Sequence, residues 1–242
     1  MSNEKVFIGC SGFSERSWKG YFYPEDLPSK EYLNFYAEKL NAVEINSTFY
    51  RRPTQKTLEN WRRSTGNDFR FFIKIPKTVT HIKKLNATAQ ETAEFCHHIA
   101  QGLKEKLGGF LFQFPPSFQY TEENMQKVLE SVDPNYLNVV EFRHTSWWNN
   151  EVYHQMKNEG VVFSGVSIPK EIPDKVIINH DKFLYYRLHG VPQLFKSEYR
   201  DSELKKLSEK IHSFKGTSFI FFNNTFGISG IKNALTLKKL SE

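Results

Sequence analysis

Short apolar runs recur along the chain, and all but one of the intervals between them carry a helical period. The runs are Val6–Ser11, Ala42–Thr48, Arg70–Pro76, Gly109–Pro115, Asn138–Arg143, Val161–Ser167, Phe183–His189 and Ser218–Asn223. Their length and their β-branched and aromatic content predict strands. They are apolar on both faces through much of their length, as strands of a parallel sheet covered on both sides must be. Helices are predicted over Lys30–Leu40, Thr54–Ser64, Thr88–Leu107, Thr121–Ser131, Asn149–Glu159, Glu198–Phe214 and Ile228–Leu240. In the first of these, Leu33, Tyr36, Ala37 and Leu40 share one helix face. Thr121 opens the fourth as a cap, with Asn124 in an imperfect capping box and Glu122 and Glu123 suiting the helix N-terminus. The exception is Ile168–Lys182, which has two prolines and no helical period.

Strands alternating with helices leave a closed barrel or an open doubly wound sheet. No Gly-x-Gly-x-x-Gly follows the first strand, which weakens the open dinucleotide-binding sheet. Strand parity favours the barrel, because side chains alternate between faces. Glu44 and Asn46 oppose Val43 and Ile45. Lys74 opposes Ile73 and Ile75, and Gln113 opposes Phe112 and Phe114. Glu141 and Arg143 oppose Val140 and Phe142; Arg187 and His189 oppose Tyr186 and Leu188; Asn223 ends the last strand. The polar groups thus sit on one face, late in each strand. In a barrel those faces all point inward and meet at the C-terminal rim, where such barrels carry their sites. The expectation is a single α/β domain over residues 1–242, a TIM-type (β/α)8 barrel with an irregular link after the sixth strand.

Composition adds limits. The two cysteines, Cys10 and Cys96, are far apart and form no CxxC pair, and a reducing compartment is the simple reading. The N-terminus has no apolar signal core, and no stretch approaches the roughly 18 apolar residues of a membrane span. A cytoplasmic protein without a membrane anchor is expected. The formal net charge of +6 favours acidic partners weakly. Lysines such as Lys104, Lys106, Lys205, Lys206, Lys238 and Lys239 fall in helical patterns and read mainly as solvated faces. Nucleic acid remains a possible partner.

Several segments carry a family resemblance: Gly9–Phe13 with Trp18-Lys19-Gly20 and Phe22-Tyr23-Pro24; Val43–Tyr50; Phe72–Pro76 with Thr80-His81; Gln113–Pro116; Glu141–His144 with Trp147; Arg187–Gly190; and Phe222–Asn224 with Asn233-Ala234. Through them the chain resembles the DUF72 (YecE-like) family. The resemblance implies a TIM-type barrel and implies where its site lies, while the family's activity is unassigned. This chain has Cys10 where the family usually has Thr, and Thr225 where it usually has Asp.

The inward polar residues define the candidate chemistry. Glu44 and Glu141, with His189, are candidates for acid–base work. Pairing of the carboxylates with Lys74, Arg143 and Arg187 in a buried ion network is the alternative. The three cations outnumber the two carboxylates by one, which suits an anionic ligand. Lys74, Gln113, Arg143, Arg187, Asn46 and Asn223 are therefore expected to bind substrate. Trp18, in the aromatic segment Ser11–Pro28, and Trp147 are expected as walls of the mouth. The neighbouring cations oppose a divalent metal at Glu44, Glu141 and His189, so no metal site is assigned, and no cofactor is strongly implied. The favoured function is an enzyme acting on a small anionic or polyhydroxylated molecule, with hydrolysis, isomerisation and lyase chemistry open. A nucleic-acid-binding or nucleic-acid-processing protein and a non-catalytic binding barrel are the alternatives.

Overall fold

The structure, a computed structural model, describes residues 5–241. In chain order its principal elements are β1 (Lys5–Cys10), α1 (Tyr32–Lys39), β2 (Ala42–Ile45), α2 (Gln55–Arg63), β3 (Arg70–Lys74), α3 (Ala89–Leu103), β4 (Leu107–Phe114), α4 (Glu122–Ser131), β5 (Asn138–Phe142), α5 (Asn150–Asn158), β6 (Val162–Phe163), β7 (Gly165–Ser167), β8 (Phe183–Leu188), α6 (Asp201–Ser213), β9 (Thr217–Phe222) and α7 (Ser229–Ser241). All strand pairs are parallel, in the order β6-β5-β4-β3-β2-β1-β9-β8-β7. The two ends of this order are halves of one run: β6 pairs with β5, the chain passes Ser164, and β7 pairs with β8. The expected sixth strand is thus kinked and shared between two neighbours, and it completes the barrel.

Inward and outward faces follow the parity read from the chain. Phe7, Ala42, Phe72, Leu111, Val139, Val162, Tyr185, Phe219 and Phe221 pack together inside. Ile73, Ile75, Phe112, Phe114, Val140, Phe142, Tyr186 and Leu188 join the larger apolar layer between strands and helices. At the β1–β2 seam a side chain is excluded at Gly9, where a Cβ would lie 1.9 Å from the Ala42 carbonyl oxygen. Tyr36 of α1 bridges that seam, accepting from Cys10 N at 2.7 Å and donating to Ala42 O at 3.0 Å.

Helix starts are set by local chemistry. Thr54, Thr121 and Asn149 accept from the backbone N–H three residues on, satisfying a donor that the helix itself leaves free. The Asn124 side chain, by contrast, donates to Gln119 O, so only half of the capping box forms. Helix α3 stops at Leu103, earlier than its period suggests, where Lys104 turns to φ 50°. Lys106 is no solvated lysine: it is buried, and its Nζ donates to Arg62 O in the last turn of α2 and to Thr65 O just beyond it. Residues 168–182 contain no helix. They cross the outer face of β7 so closely that a Cβ on Gly165 would lie 2.5 Å from Lys175 O. Among the described residues, no helix is long and apolar enough to cross a membrane.

Candidate functional site

Four charged residues with inward parity close on one another one layer above the barrel's apolar interior. Arg187 of β8 bridges both carboxylates, donating through Nη1 to Glu141 at 2.6 Å and through Nη2 to Glu44. Glu44 also accepts from Ser11 Oγ and from the Tyr185 hydroxyl, each at 2.7 Å. Arg143 donates through Nε to Glu141 and lies with Nη2 3.0 Å from His189 Nε2. His189 Nε2 thus sits between Arg143 Nη2 and Glu141 Oε2, the latter at 3.5 Å, and its Nδ1 lies 2.9 Å from Asn223 Nδ2.

Burial and charge act against each other here. Burial alone would raise the Glu141 carboxyl, but Arg143 and Arg187 outweigh it and hold it well below the ordinary carboxylate range. Burial likewise opposes charge on Arg187, and the Glu141 and Glu44 carboxylates reverse that and raise it. Burial, then the Arg143 charge, lower His189 to about 3, so it is neutral at physiological pH. Glu44, Glu141, Arg187 and His189 are all buried at 0–1% exposure.

Lys74 stands outside this network. Among the described residues its Nζ has no carboxylate within 4.0 Å, and it lies 4.1 Å from the centre of the Phe49 ring. It lines an open cavity of about 370 Å³ with Glu15, Asn46, Phe49, Tyr50, Phe195, Asn223, Thr225 and Phe226. Burial, then repulsion from Arg187, lower the Lys74 ammonium to about 8. Asn46 Oδ1 is buried without a hydrogen-bond partner. Burial raises the Glu15 carboxyl above its ordinary value. Tyr50 and Phe226 are largely exposed at the rim. His81, stacked edge-on against Phe49, is lowered to about 4 by burial and then by Lys74.

The residues expected from the chain pattern therefore divide. Lys74, Asn46 and Asn223 meet at the cavity, and Asn223 also touches His189. Glu44, Glu141 and Arg187 do not line it; they form the buried network instead. Arg143 lies between, with its exposed edge at a second cavity of about 380 Å³ lined also by His144 and Lys170. Gln113 is inward and buried, and its amide donates to Phe114 O at 2.8 Å.

Two expectations are corrected. Trp18 and Trp147 do not wall the mouth; both are 0% exposed. Trp18 packs on Tyr36 and Tyr23 and donates to Gly227 O at 3.0 Å. Trp147 stacks on Phe142 at 3.8 Å between ring centres and donates to Phe118 O. Each indole finds its partner in the outer layer, where a large apolar ring is driven by the water it sheds. Within the segment Ser11–Pro28 the aromatic residues Trp18, Phe22 and Tyr23 are buried in the outer layer, while Glu15 reaches the cavity. Ser11 and Tyr185 were legible by parity, lying two residues beyond Gly9 and two before Arg187. Glu15, Phe195 and Phe226 lie on irregular loops, where no period signals direction.

Among the described residues no group of His, Cys, Asp and Glu is placed to hold a metal ion. Cys10 is buried, which raises its thiol well above the ordinary value and keeps it protonated.

Known proteins place this architecture. The family described as "Protein of unknown function DUF72" matches residues 7–242. The chain is 28% identical over 209 residues to the UPF0759 protein YecE of Escherichia coli K12, covering 86% of this chain and 69% of that protein. It is 24% identical to the UPF0759 protein YunF of Bacillus subtilis, covering 97% and 94%. Among solved structures, a DUF72 family protein from Thermotoga maritima superposes with a TM-score of 0.88 at 32% identity, covering 98% of this chain and 99% of that one. The endoglucanase Cel5A of Pseudomonas stutzeri, at 9% identity and a TM-score of 0.56, shares the barrel fold alone. The chain belongs to the DUF72 family.

Proposed function

We propose that this protein is an enzyme acting on a small anionic molecule with a ring or polyhydroxylated body, held in the cavity that Lys74 lines. The observation that carries this reading is Lys74 itself: a half-buried ammonium with no carboxylate partner among the described residues, lining open space. Desolvated cations without a counter-ion are costly, and a bound anion removes that cost. Phe49, Tyr50, Phe195 and Phe226 supply flat apolar faces, and Asn46, Asn223 and Thr225 supply polar groups for hydroxyls. Arg187, clamped by Glu44 and Glu141, adds fixed positive charge beneath the ligand at no cost in reorganisation on binding. The acid–base work expected of Glu44 and Glu141 passes, in this reading, to groups that line the cavity.

A heat-unfolding panel at fixed salt tests it, using inorganic phosphate, sugar phosphates, dicarboxylates, neutral sugars and short oligonucleotides. A ligand at 100 times its Kd stabilises by about 2.7 kcal/mol. That is a rise of roughly 5–10 °C for a chain of this length. Stabilisation by one anionic class, lost in Lys74→Met, is expected. Stabilisation by oligonucleotides alone, or by neutral sugars as strongly as by their phosphates, would sink the proposal.

A further inference from the structure

We infer that Lys74 is an amine nucleophile that forms a Schiff base with a carbonyl compound bearing an anionic group, and that Glu15 is its proton-transfer partner. The inference rests on the reading of the cavity as an anion site and names the reactive group of the ligand. Its geometry is simple. Lys74 and Glu15 line the same open cavity, Glu15 being the acidic residue there. Each arrives from a different element, Lys74 at the end of β3 and Glu15 from the segment after β1. Neither makes an ion pair among the described residues, whereas Glu44, Glu141, Arg143 and Arg187, one layer below, are all paired. The amine is held against the Phe49 ring, and three more aromatic residues narrow the space around it.

Electrostatics support both roles. Arg187 and Arg143 push the Lys74 proton off, Glu141 and Glu44 hold it on, and burial decides the balance, leaving the amine titrating at about 8. Glu15 interacts with the neutral Cys10 and Tyr23, and burial raises its carboxyl, favouring the acid form. A lysine tuned in this way is nucleophilic near neutrality, unlike a solvated lysine at about 10.4.

The step balances. The neutral amine attacks the carbonyl carbon, and the C=O π electrons move to oxygen. One amine proton passes to that oxygen, giving a carbinolamine. Glu15 then protonates the hydroxyl, the C–O bond breaks, and water leaves as the nitrogen lone pair forms the C=N bond. The products are an iminium with one N–H, a Glu15 carboxylate and one water.

The test requires no knowledge of the natural substrate. The full chain is incubated with pyruvate, or with glycolaldehyde phosphate, in the presence of cyanoborohydride from pH 6 to 10, and the labelled peptides are mapped by mass. Label is expected to concentrate at Lys74 at least tenfold over the average exposed lysine at pH 7.5. Its rate should level off above pH 8 while surface lysines still climb. Glu15→Gln should slow trapping at Lys74 about tenfold, and Lys74→Arg should abolish it. Label spread over lysines in proportion to exposure would overturn the nucleophile, in a measurement on the unaltered protein that no folding defect can confuse. Unchanged trapping in Glu15→Gln would overturn the partner. Phosphate stabilisation without trapping would leave the anion site standing and remove the Schiff base. Trapping at Lys74 without stabilisation by any anion would do the reverse.

Discussion

Two charged regions sit one layer apart at the top of the barrel, and they are built on opposite plans. In the lower one, Arg187 joins Glu44 to Glu141 and Arg143 extends the chain of contacts to His189, with every group but Arg143 buried. In the upper one, Lys74 and Glu15 line open space without an ion pair among the described residues, and Asn46 Oδ1 beside them is buried without a hydrogen-bond partner. Both are made from the same residue types at the ends of inward-facing strands. The difference is coordination. A buried charge paired with opposite charges is stable without a ligand, and its proton is fixed. A partly buried charge without a counter-ion has a shifted pKa and an unmet demand, which is the condition of a reacting or binding group. Paired charge here supports, and unpaired charge is free to act.

Breaking the lower region should have the largest effect. Arg187→Met leaves two buried carboxylates without their shared cation, and a loss of about 3–5 kcal/mol is expected in urea unfolding. A loss below 1 kcal/mol would mean that water already reaches the network.

Acid should act next most strongly, through His189. Its folded-state pKa of about 3 lies below the ordinary 6.5, so the unfolded chain binds the proton more readily. Its contribution is therefore fully present above pH 6.5 and is lost as pH falls toward 3, at about 1.4 kcal/mol per unit within that window. Glu141, also depressed, adds to the loss below the ordinary carboxylate range. His189→Asn should flatten the stability curve between pH 6.5 and 4.5. A curve that keeps its slope would assign the acid sensitivity elsewhere.

The upper region should respond in the opposite sense. Lys74→Met is expected to weaken anion binding at least tenfold, about 1.4 kcal/mol, while changing stability by less than about 1 kcal/mol. If it instead destabilised the fold as Arg187→Met does, the contrast between the two regions would fail. The outer layer should affect stability alone. Trp147→Phe removes the hydrogen bond to Phe118 O and part of the stack on Phe142. About 1–2 kcal/mol of stability should go, with ligand affinity unchanged in the same heat-unfolding panel.

Much of this was legible in the chain because periodicity is a local property. Side chains of a strand alternate whatever surrounds them, so the inward set Glu44, Lys74, Gln113, Glu141, Arg187 and the outward set facing the helices followed from spacing alone. The helix start at Thr121 followed from cap chemistry that needs only three neighbouring residues. The irregular link at 168–182 was marked by its prolines and its missing period.

Partnership was not legible, because it depends on distances between residues far apart in the chain. Arg187 meets Glu44 across 143 positions and Glu141 across 46, and no spacing rule says which cation each carboxylate takes. Hence three inward cations looked alike in sequence, and only the folded barrel separated two that are clamped from Lys74, which is not. The same holds for Trp18 and Trp147. Their ring size promised burial somewhere, but the backbone carbonyls of Gly227 and Phe118 decided where. Glu15, Phe195 and Phe226 came to the cavity through loops whose course is set by packing, not by period. The chain alone determined the barrel and the faces of its strands, through local sterics and the burial of apolar side chains. Which charge was left without a partner was decided by tertiary structure, because only there do the groups compete for one another at hydrogen-bonding distance.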